Sequence, residues 1–174
     1  MEQAILRSEQ DNGDAGDWTK DGGSHGDIKD EEGNYDFPAN AQVIEKYVNT
    51  YLKPYISIVN FGVYDKETIN DSLAEAYMDF KDGSRVYLHN GSCMNFNYDV
   101  NGVNLPNKFG QDRFRYCICK CENYSQGHCG KFKPITIRNT RAEALELCKE
   151  EPKNCSQLLL FDNNEFKDDY PYKL

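Results

Sequence analysis

The spacing of apolar residues changes from a helical to an alternating period before the middle of the chain. Between Asp36 and Tyr55 apolar residues recur every three or four positions, with Pro38 near the first turn. This predicts an amphipathic helix that ends or kinks at Pro54. Four later stretches alternate apolar and polar residues and predict strands: Ala76 to Phe80, Val86 to Leu88, Met94 to Tyr98 and Phe114 to Cys119. We therefore expect an α+β fold, in which this N-terminal amphipathic helix packs on an antiparallel meander sheet of about four strands.

Turn and capping signals mark the connections between these elements. Asp82-Gly83 separates the first two predicted strands and is typical of a hairpin. Thr140, with Glu143 three residues later, forms a capping-box pattern that predicts a second helix from Arg141 to Cys148. The apolar run from Gln157 to Phe161 is interpreted as a short buried strand.

Charge divides the chain into two parts. Residues 1–36 hold eleven acidic and three basic residues, a net charge of −8, whereas the whole chain has −9. The first part also contains six glycines. We expect residues 1–36 to be a loosely ordered acidic leader and residues 37–174 to form the folded head domain. The charge gives no support to nucleic-acid binding, and no run of about eighteen apolar residues could span a bilayer.

Seven cysteines indicate either disulfides or metal ligands. Cys117, Cys119 and Cys121 alternate on one strand face about 7 Å apart, so they cannot bridge one another. The remaining cysteines offer partners, and three disulfides plus one thiol are expected in an oxidising compartment. Cys93 can reach Cys117 or Cys119, and two short loops can close, between Cys121 and Cys129 and between Cys148 and Cys155.

A zinc site is the alternative to these disulfides. It would use Cys119, Cys121, His128 and Cys129. These residues supply enough ligands but lack the two-residue Cys-x-x-Cys spacing by which such sites are recognised. Disulfides are therefore favoured, since an isolated Cys-x-Cys pattern is a weak metal signal.

The loop between the last two predicted strands, from Asp99 to Phe114, allows two interpretations. It is rich in Asn and Gly, so its acidic and amide side chains can cap its own backbone. Alternatively, Asp99, Asn101, Asn107 and Asp112 supply oxygen ligands for calcium. The spacing does not follow the EF-hand pattern, which favours the capped turn.

No catalytic motif was found. The sequence lacks a Gly-x-Ser-x-Gly elbow, a phosphate loop, a His-Glu-x-x-His helix and a dinucleotide fingerprint. His25, His89 and His128 are interpreted as surface residues. We therefore expect a protein that is not an enzyme and has no cofactor, calcium excepted.

The order of these parts resembles the soluble head domain of bacterial type IV pilin-like proteins and type II secretion pseudopilins, which are made as prepilins. The most specific similarity is the run Asp-x-Asn-Gly…Pro-Asn…Gly-x-Asp-x-Phe within residues 99–114. Three further stretches are similar: the helix Ile44 to Tyr55, the hairpin Phe80 to Ser84, and Cys148…Cys155 with the terminal Asp168 to Pro171.

This resemblance implies a structural subunit of a pilus-like or pseudopilus filament, with other pilin or pseudopilin subunits as partners. It also implies an apolar N-terminal helix that is missing here, through which such a protein is held in the inner membrane before assembly. The implied location is the periplasm or cell surface, and some heads of this family bind calcium in a loop beside the sheet. The alternative is a secreted cysteine-rich binding protein with no filament role.

Overall fold

The computed structural model describes residues 1–64, 74–121 and 130–172. It has an α+β architecture with one antiparallel meander sheet, in which the strands lie in chain order. The four predicted strands are confirmed as β2 to β5, but the described residues form six strands rather than four. The strands are β1 Ile58–Val63, β2 Ala76–Phe80, β3 Arg85–Asn90, β4 Met94–Asp99, β5 Arg113–Ile118 and β6 Lys133–Pro134.

The two strands that the sequence pattern did not predict lie at the two edges of the sheet. In β1, the apolar Val59 and Val63 are exposed, so apolar and polar residues do not follow the alternation of buried and exposed positions that identifies a strand. β6 has only two residues, one of which is Pro134. Because an edge strand has a neighbour on one side only, its sequence is less constrained than that of a central strand.

Four α-helices accompany the sheet in the part of the chain that the structure describes. They are α1 Glu2–Asn12, α2 Phe37–Tyr51, α3 Arg141–Glu150 and α4 Ser156–Phe161. α2 begins where Asp36 Oδ1 accepts a hydrogen bond of 2.9 Å from the Ala39 amide. The predicted capping box of α3 is confirmed, because Thr140 and Glu143 each accept a hydrogen bond from the other's backbone amide.

The predicted strand at Gln157 to Phe161 is wrong, since these residues belong to α4. A short apolar run does not distinguish a buried strand from a buried helical turn. Here Leu158 and Leu159 are buried and Leu160 and Phe161 are exposed, a pairwise pattern that a helix produces and a strand does not.

The main core lies between α2 and one face of the sheet. Leu88 of β3 is opposite Phe96 of β4, and Met94 of β4 is opposite Ile118 of β5, so their side chains form one continuous apolar surface. α2 covers this surface with Ile44. The predicted helix-on-sheet packing is thus present, although α2 is the second helix of the chain.

Part of the acidic N-terminal segment contributes to this core. Ile5 of α1, Ala15 and Trp18 are buried in it. The indole of Trp18 stacks on Tyr51 of α2 with ring centres 4.6 Å apart. The segment that follows, near Gly23, reaches the end of the sheet at Asn90.

No helix among the described residues is long and apolar enough to cross a membrane.

Candidate functional site

The four residues predicted to bind calcium lie together, and their carboxylates accept hydrogen bonds from N–H groups of the loop. Asp112 Oδ2 accepts hydrogen bonds from the Asn107 amide at 2.7 Å and from Asn101 Nδ2 at 3.2 Å. Its Oδ1 accepts from the Lys108 amide at 2.6 Å. Asp99 Oδ1 accepts from the Asn101 amide at 3.3 Å. These contacts are those of a capped turn, and calcium binding here stays a prediction that would require the donors to turn away.

Asp99 is also paired with an arginine inside the protein. Its carboxylate is fully buried and accepts a hydrogen bond from Arg113 Nε at 2.7 Å. The Arg113 guanidinium also donates to Asn107 Oδ1 at 3.2 Å and lies over the ring of Tyr87. Burial raises the pKa of Asp99, and the hydrogen bond from Arg113 opposes this effect. The pair fixes the base of the loop.

The outer parts of the loop pack against two other elements. A Cβ on Gly102 would lie 2.4 Å from the carbonyl oxygen of Gly83, so this loop and the β2–β3 turn touch backbone to backbone. At the other end, the buried Tyr170 hydroxyl donates to the Gly110 carbonyl at 2.6 Å. The loop is therefore fixed at its base and on both sides.

Disulfides are confirmed among the described cysteines. Cys93 is bonded to Cys119, and Cys148 to Cys155. Cys117 is a buried free thiol whose sulfur lies 3.7 Å from that of Cys119, and burial raises its pKa to about 11. Cys93, Cys117 and Cys119 form the sole three-residue group with metal-ligand spacing that the described residues contain. Two of its three sulfurs are bonded to each other.

The predicted zinc alternative lies partly outside the described residues. His128 and Cys129 belong to that part of the chain. Cys121 is disulfide-bonded. A sulfur in a disulfide is not a thiolate, so Cys119 and Cys121 are not zinc ligands in this oxidised form.

A second polar cluster, which the sequence did not predict, lies at the end of β3. The Glu75 carboxylate is fully buried and accepts hydrogen bonds from His89 Nδ1 at 3.0 Å and from the Asn90 amide at 3.1 Å. The ring of His25 lies 4.8 Å from that of His89. Both the backbone amide and Nδ1 of His25 contact the Asn90 carbonyl, at 2.7 and 3.2 Å.

Asn90 joins this cluster to the N-terminal segment and to α2. Its side chain is fully buried and donates to the Gly23 carbonyl at 3.1 Å and to Asn40 Oδ1 at 2.8 Å. Both amide hydrogens are thereby used, and Oδ1 has no hydrogen-bond partner among the described residues. The hydroxyl of Tyr35, whose ring lies 5.9 Å from that of His25, is likewise buried without a partner in this part of the chain. Unsatisfied buried oxygens are uncommon and often indicate an additional ligand or water.

A cavity of about 520 Å³ opens beside this cluster. Lys20 lines it, donates to the Gly91 carbonyl, and has a pKa lowered to about 8 by burial. Burial, and then the neighbouring His89, lower the pKa of His25. The cavity is large enough for a small molecule. Its lining includes aromatic and charged residues, among them Trp18, Tyr47, Asp27 and Lys120.

Residues 1–174 match the model of a family of unknown function, DUF6613. The chain belongs to this family. No curated protein and no solved structure matches the chain. The DUF6613 description carries no activity, so a function for this member is argued from its residues and their geometry.

Sequence reasoning missed the second cluster because its members are distant in the chain. His25 and His89 were interpreted as surface residues, and Glu75 was not considered. Fourteen positions separate Glu75 from His89, and sixty-five separate His25 from Asn90. The available signal was the position of His89 and Asn90 at the end of an alternating strand, where polar residues from other segments can converge.

Proposed function

We propose that the chain is the head domain of a filament subunit, with a structural role in assembly and surface presentation in a type IV pilus-like or type II secretion pseudopilus system. The α+β fold supports this proposal, since an amphipathic helix packs on an antiparallel meander as expected for such a head. The disulfides support a location in the periplasm or at the cell surface, where thiols are oxidised.

The observation that carries the proposal is the apolar tip of the Asp99 to Phe114 loop. Val103 and Leu105 are 65% and 83% exposed. The backbone beneath them is fixed, because Asp112 accepts three hydrogen bonds from the loop and Tyr170 anchors its far side. A rigid loop that presents apolar side chains to solvent is suited to docking, since contact removes them from water at little cost in loop entropy. The proposed occupant of this tip is a neighbouring subunit of the filament.

The proposal is tested on filaments sheared from the producing cell. The chain is expected in the sheared fraction, and antibodies raised against the purified chain should label the filaments in electron micrographs. Leu105→Asp should leave the free energy of unfolding unchanged but lower incorporation into filaments, because it places a charge at the docking tip. Lys108→Asp, which places a carboxylate at another exposed position of the same loop, is the matched control. A chain recovered solely as a monomer in the medium would contradict the proposal.

The second candidate is a secreted cysteine-rich binding protein, which the cavity beside Lys20 favours. In that case the ligand would occupy the cavity, and Leu105→Asp would have no effect on function. Charged residues on the cavity wall suit a small polar or charged molecule. Ligand extracted from the protein purified from its own cells, and detected by mass spectrometry, would favour this candidate over a filament role.

A further inference from the structure

We propose that His25 and His89 form a binding site for one divalent transition-metal ion of the zinc class, with Glu75 as the carboxylate that orients His89. This site is independent of the filament role and uses residues from the N-terminal segment, β3 and the segment that precedes β2.

The tautomers of the two histidines support the site. A backbone carbonyl only accepts hydrogen bonds, so His25 Nδ1, at 3.2 Å from the Asn90 carbonyl, must carry the hydrogen. His89 Nδ1 lies 3.0 Å from a Glu75 carboxylate oxygen and donates in the same way when that carboxylate is ionised. In a neutral imidazole the other nitrogen, Nε2, then has a free lone pair, which is the form that binds a metal.

The hydrogen bond from His89 Nδ1 to Glu75 is of the kind that metal-binding histidines make through their second ring nitrogen. Such a histidine usually donates its second ring N–H to a carboxylate or a backbone carbonyl, which fixes the ring and increases its basicity. His89 has a carboxylate in this position, and His25 has a backbone carbonyl.

The separation of the rings fits one shared ion. With zinc–nitrogen distances of about 2.0–2.1 Å, two imidazoles on one ion at an angle near tetrahedral have ring centres about 5 Å apart. The ring centres of His25 and His89 are 4.8 Å apart, and the planes are tilted by 44° rather than stacked. Imidazole ligands suit zinc, copper and nickel rather than calcium or magnesium.

The surroundings can accommodate the rest of the coordination shell. Two imidazoles leave two positions of a tetrahedral ion for water. Asn90 Oδ1 and the Tyr35 hydroxyl belong to residues that contact His25, and neither has a hydrogen-bond partner within the described ranges of the chain. Metal-bound waters would supply the donors that these oxygens lack.

The experiment is a calorimetric titration of Zn²⁺ into the oxidised, metal-free full chain at pH 7.5. One ion is expected to bind per chain. His25→Asn and His89→Asn are the decisive variants, because an asparagine amide can replace the Nδ1 donor but offers no atom in place of Nε2. Each should abolish measurable binding while the hydrogen bond to Asn90 or Glu75 is kept. Glu75→Gln should weaken binding about 10- to 100-fold, as loss of an orienting carboxylate does.

His128→Asn is the matched control, since it changes the third histidine of the chain. It should leave zinc affinity unchanged. The proposal is overturned if the folded wild-type chain binds no Zn²⁺, if binding survives both His25→Asn and His89→Asn, or if His128→Asn removes it.

Nitrogen NMR of the wild-type chain gives a test that does not depend on the folding of a variant. On addition of Zn²⁺, the Nε2 resonances of His25 and His89 should move while both Nδ1 atoms remain protonated. If the Nδ1 resonances move instead, the assigned tautomers are wrong and the proposal falls.

Discussion

Asp99 and Glu75 are both fully buried carboxylates, but their cationic partners differ in kind. Asp99 is paired with Arg113, whose guanidinium is always charged. Glu75 is paired with His89, which carries a charge only when it is protonated. Asp99 thus has a permanently charged partner. The charge of Glu75 is balanced only when His89 is protonated.

The hydrogen bonds around the two carboxylates leave buried oxygens in both regions. Near Asp99, the neighbouring Asp112 accepts from two backbone amides and one side-chain amide, while Asn101 Oδ1 has no partner among the described residues. Near Glu75, the oxygen atoms of Asn90 and Tyr35 lack a partner in the same part of the chain. The contrast between the two regions therefore lies in the charged partners of Asp99 and Glu75. We propose docking at the exposed tip of the Asp99 loop and ion binding at the Glu75 cluster.

The largest effect is expected for Arg113→Met. This change removes the permanent cation and leaves the Asp99 carboxylate buried without a partner, which should lower the free energy of unfolding by about 3–5 kcal/mol. Urea denaturation of the oxidised chain at pH 7.5 measures it. The double variant Asp99→Asn with Arg113→Met should recover much of the loss, because no buried charge remains. A single variant as stable as the wild type would show that the pair does not hold the loop.

A smaller effect is expected for Glu75→Gln at pH 8. The glutamine carbonyl can still accept a hydrogen bond from the Asn90 amide, and the change removes a charge that has no permanent partner. The free energy of unfolding should therefore change by no more than about 1 kcal/mol in either direction, since the change leaves no charge buried and alters at most one hydrogen bond, which is worth about 1 kcal/mol. A loss as large as that of Arg113→Met would remove the distinction between the two carboxylates.

A third prediction concerns Lys20, whose charge also changes with pH. Burial lowers its pKa from 10.5 to about 8, so between these pH values the unfolded chain binds more protons than the folded chain. The contribution of Lys20 to stability is therefore present above pH 10.5 and is lost as the pH falls to about 8. Lys20→Met should reduce the dependence of stability on pH in this window.

Competitive reductive methylation at pH 8 tests the same group directly. Lys20 should react as a partly neutral amine, allowing for its limited access, whereas the exposed Lys46 provides the reference. If the reactivities of Lys20 and Lys46 toward methylation rise over the same pH range, the surrounding cluster keeps Lys20 charged at pH 8.

Local patterns predicted the regular part of this fold. The alternation of Met94, Phe96 and Tyr98 identified the strand and the face that packs on the main core, because successive side chains point to opposite faces of a strand. It did not predict that Asn97 and Asp99 on the other face are also buried. Thr140 and Glu143 identified the start of α3 for a similar reason, since both halves of the capping box lie within one turn. Cys148 and Cys155 were close enough in sequence for their pairing to be expected.

The remaining features depend on contacts between distant segments, which local patterns do not encode. Gln157 to Phe161 forms a helix although its apolar run fits a strand equally well. The meeting of His25 with His89 requires the N-terminal segment to reach the end of β3, and no spacing rule relates these two positions. The Asp99 loop was recognised from its composition, but the pairing of Asp99 with Arg113 was not.

The reactivity of the buried Cys117 thiol can report when the surrounding part of the sheet opens. Its sulfur lies beside a disulfide, yet burial holds its pKa at about 11, so little reactive thiolate exists while the sheet is closed. Alkylation of the Cys117 thiol, and its exchange with the Cys93–Cys119 disulfide, therefore require an opening of the sheet that admits water. The rate at which this sulfur is modified therefore reports how often this part of the sheet opens.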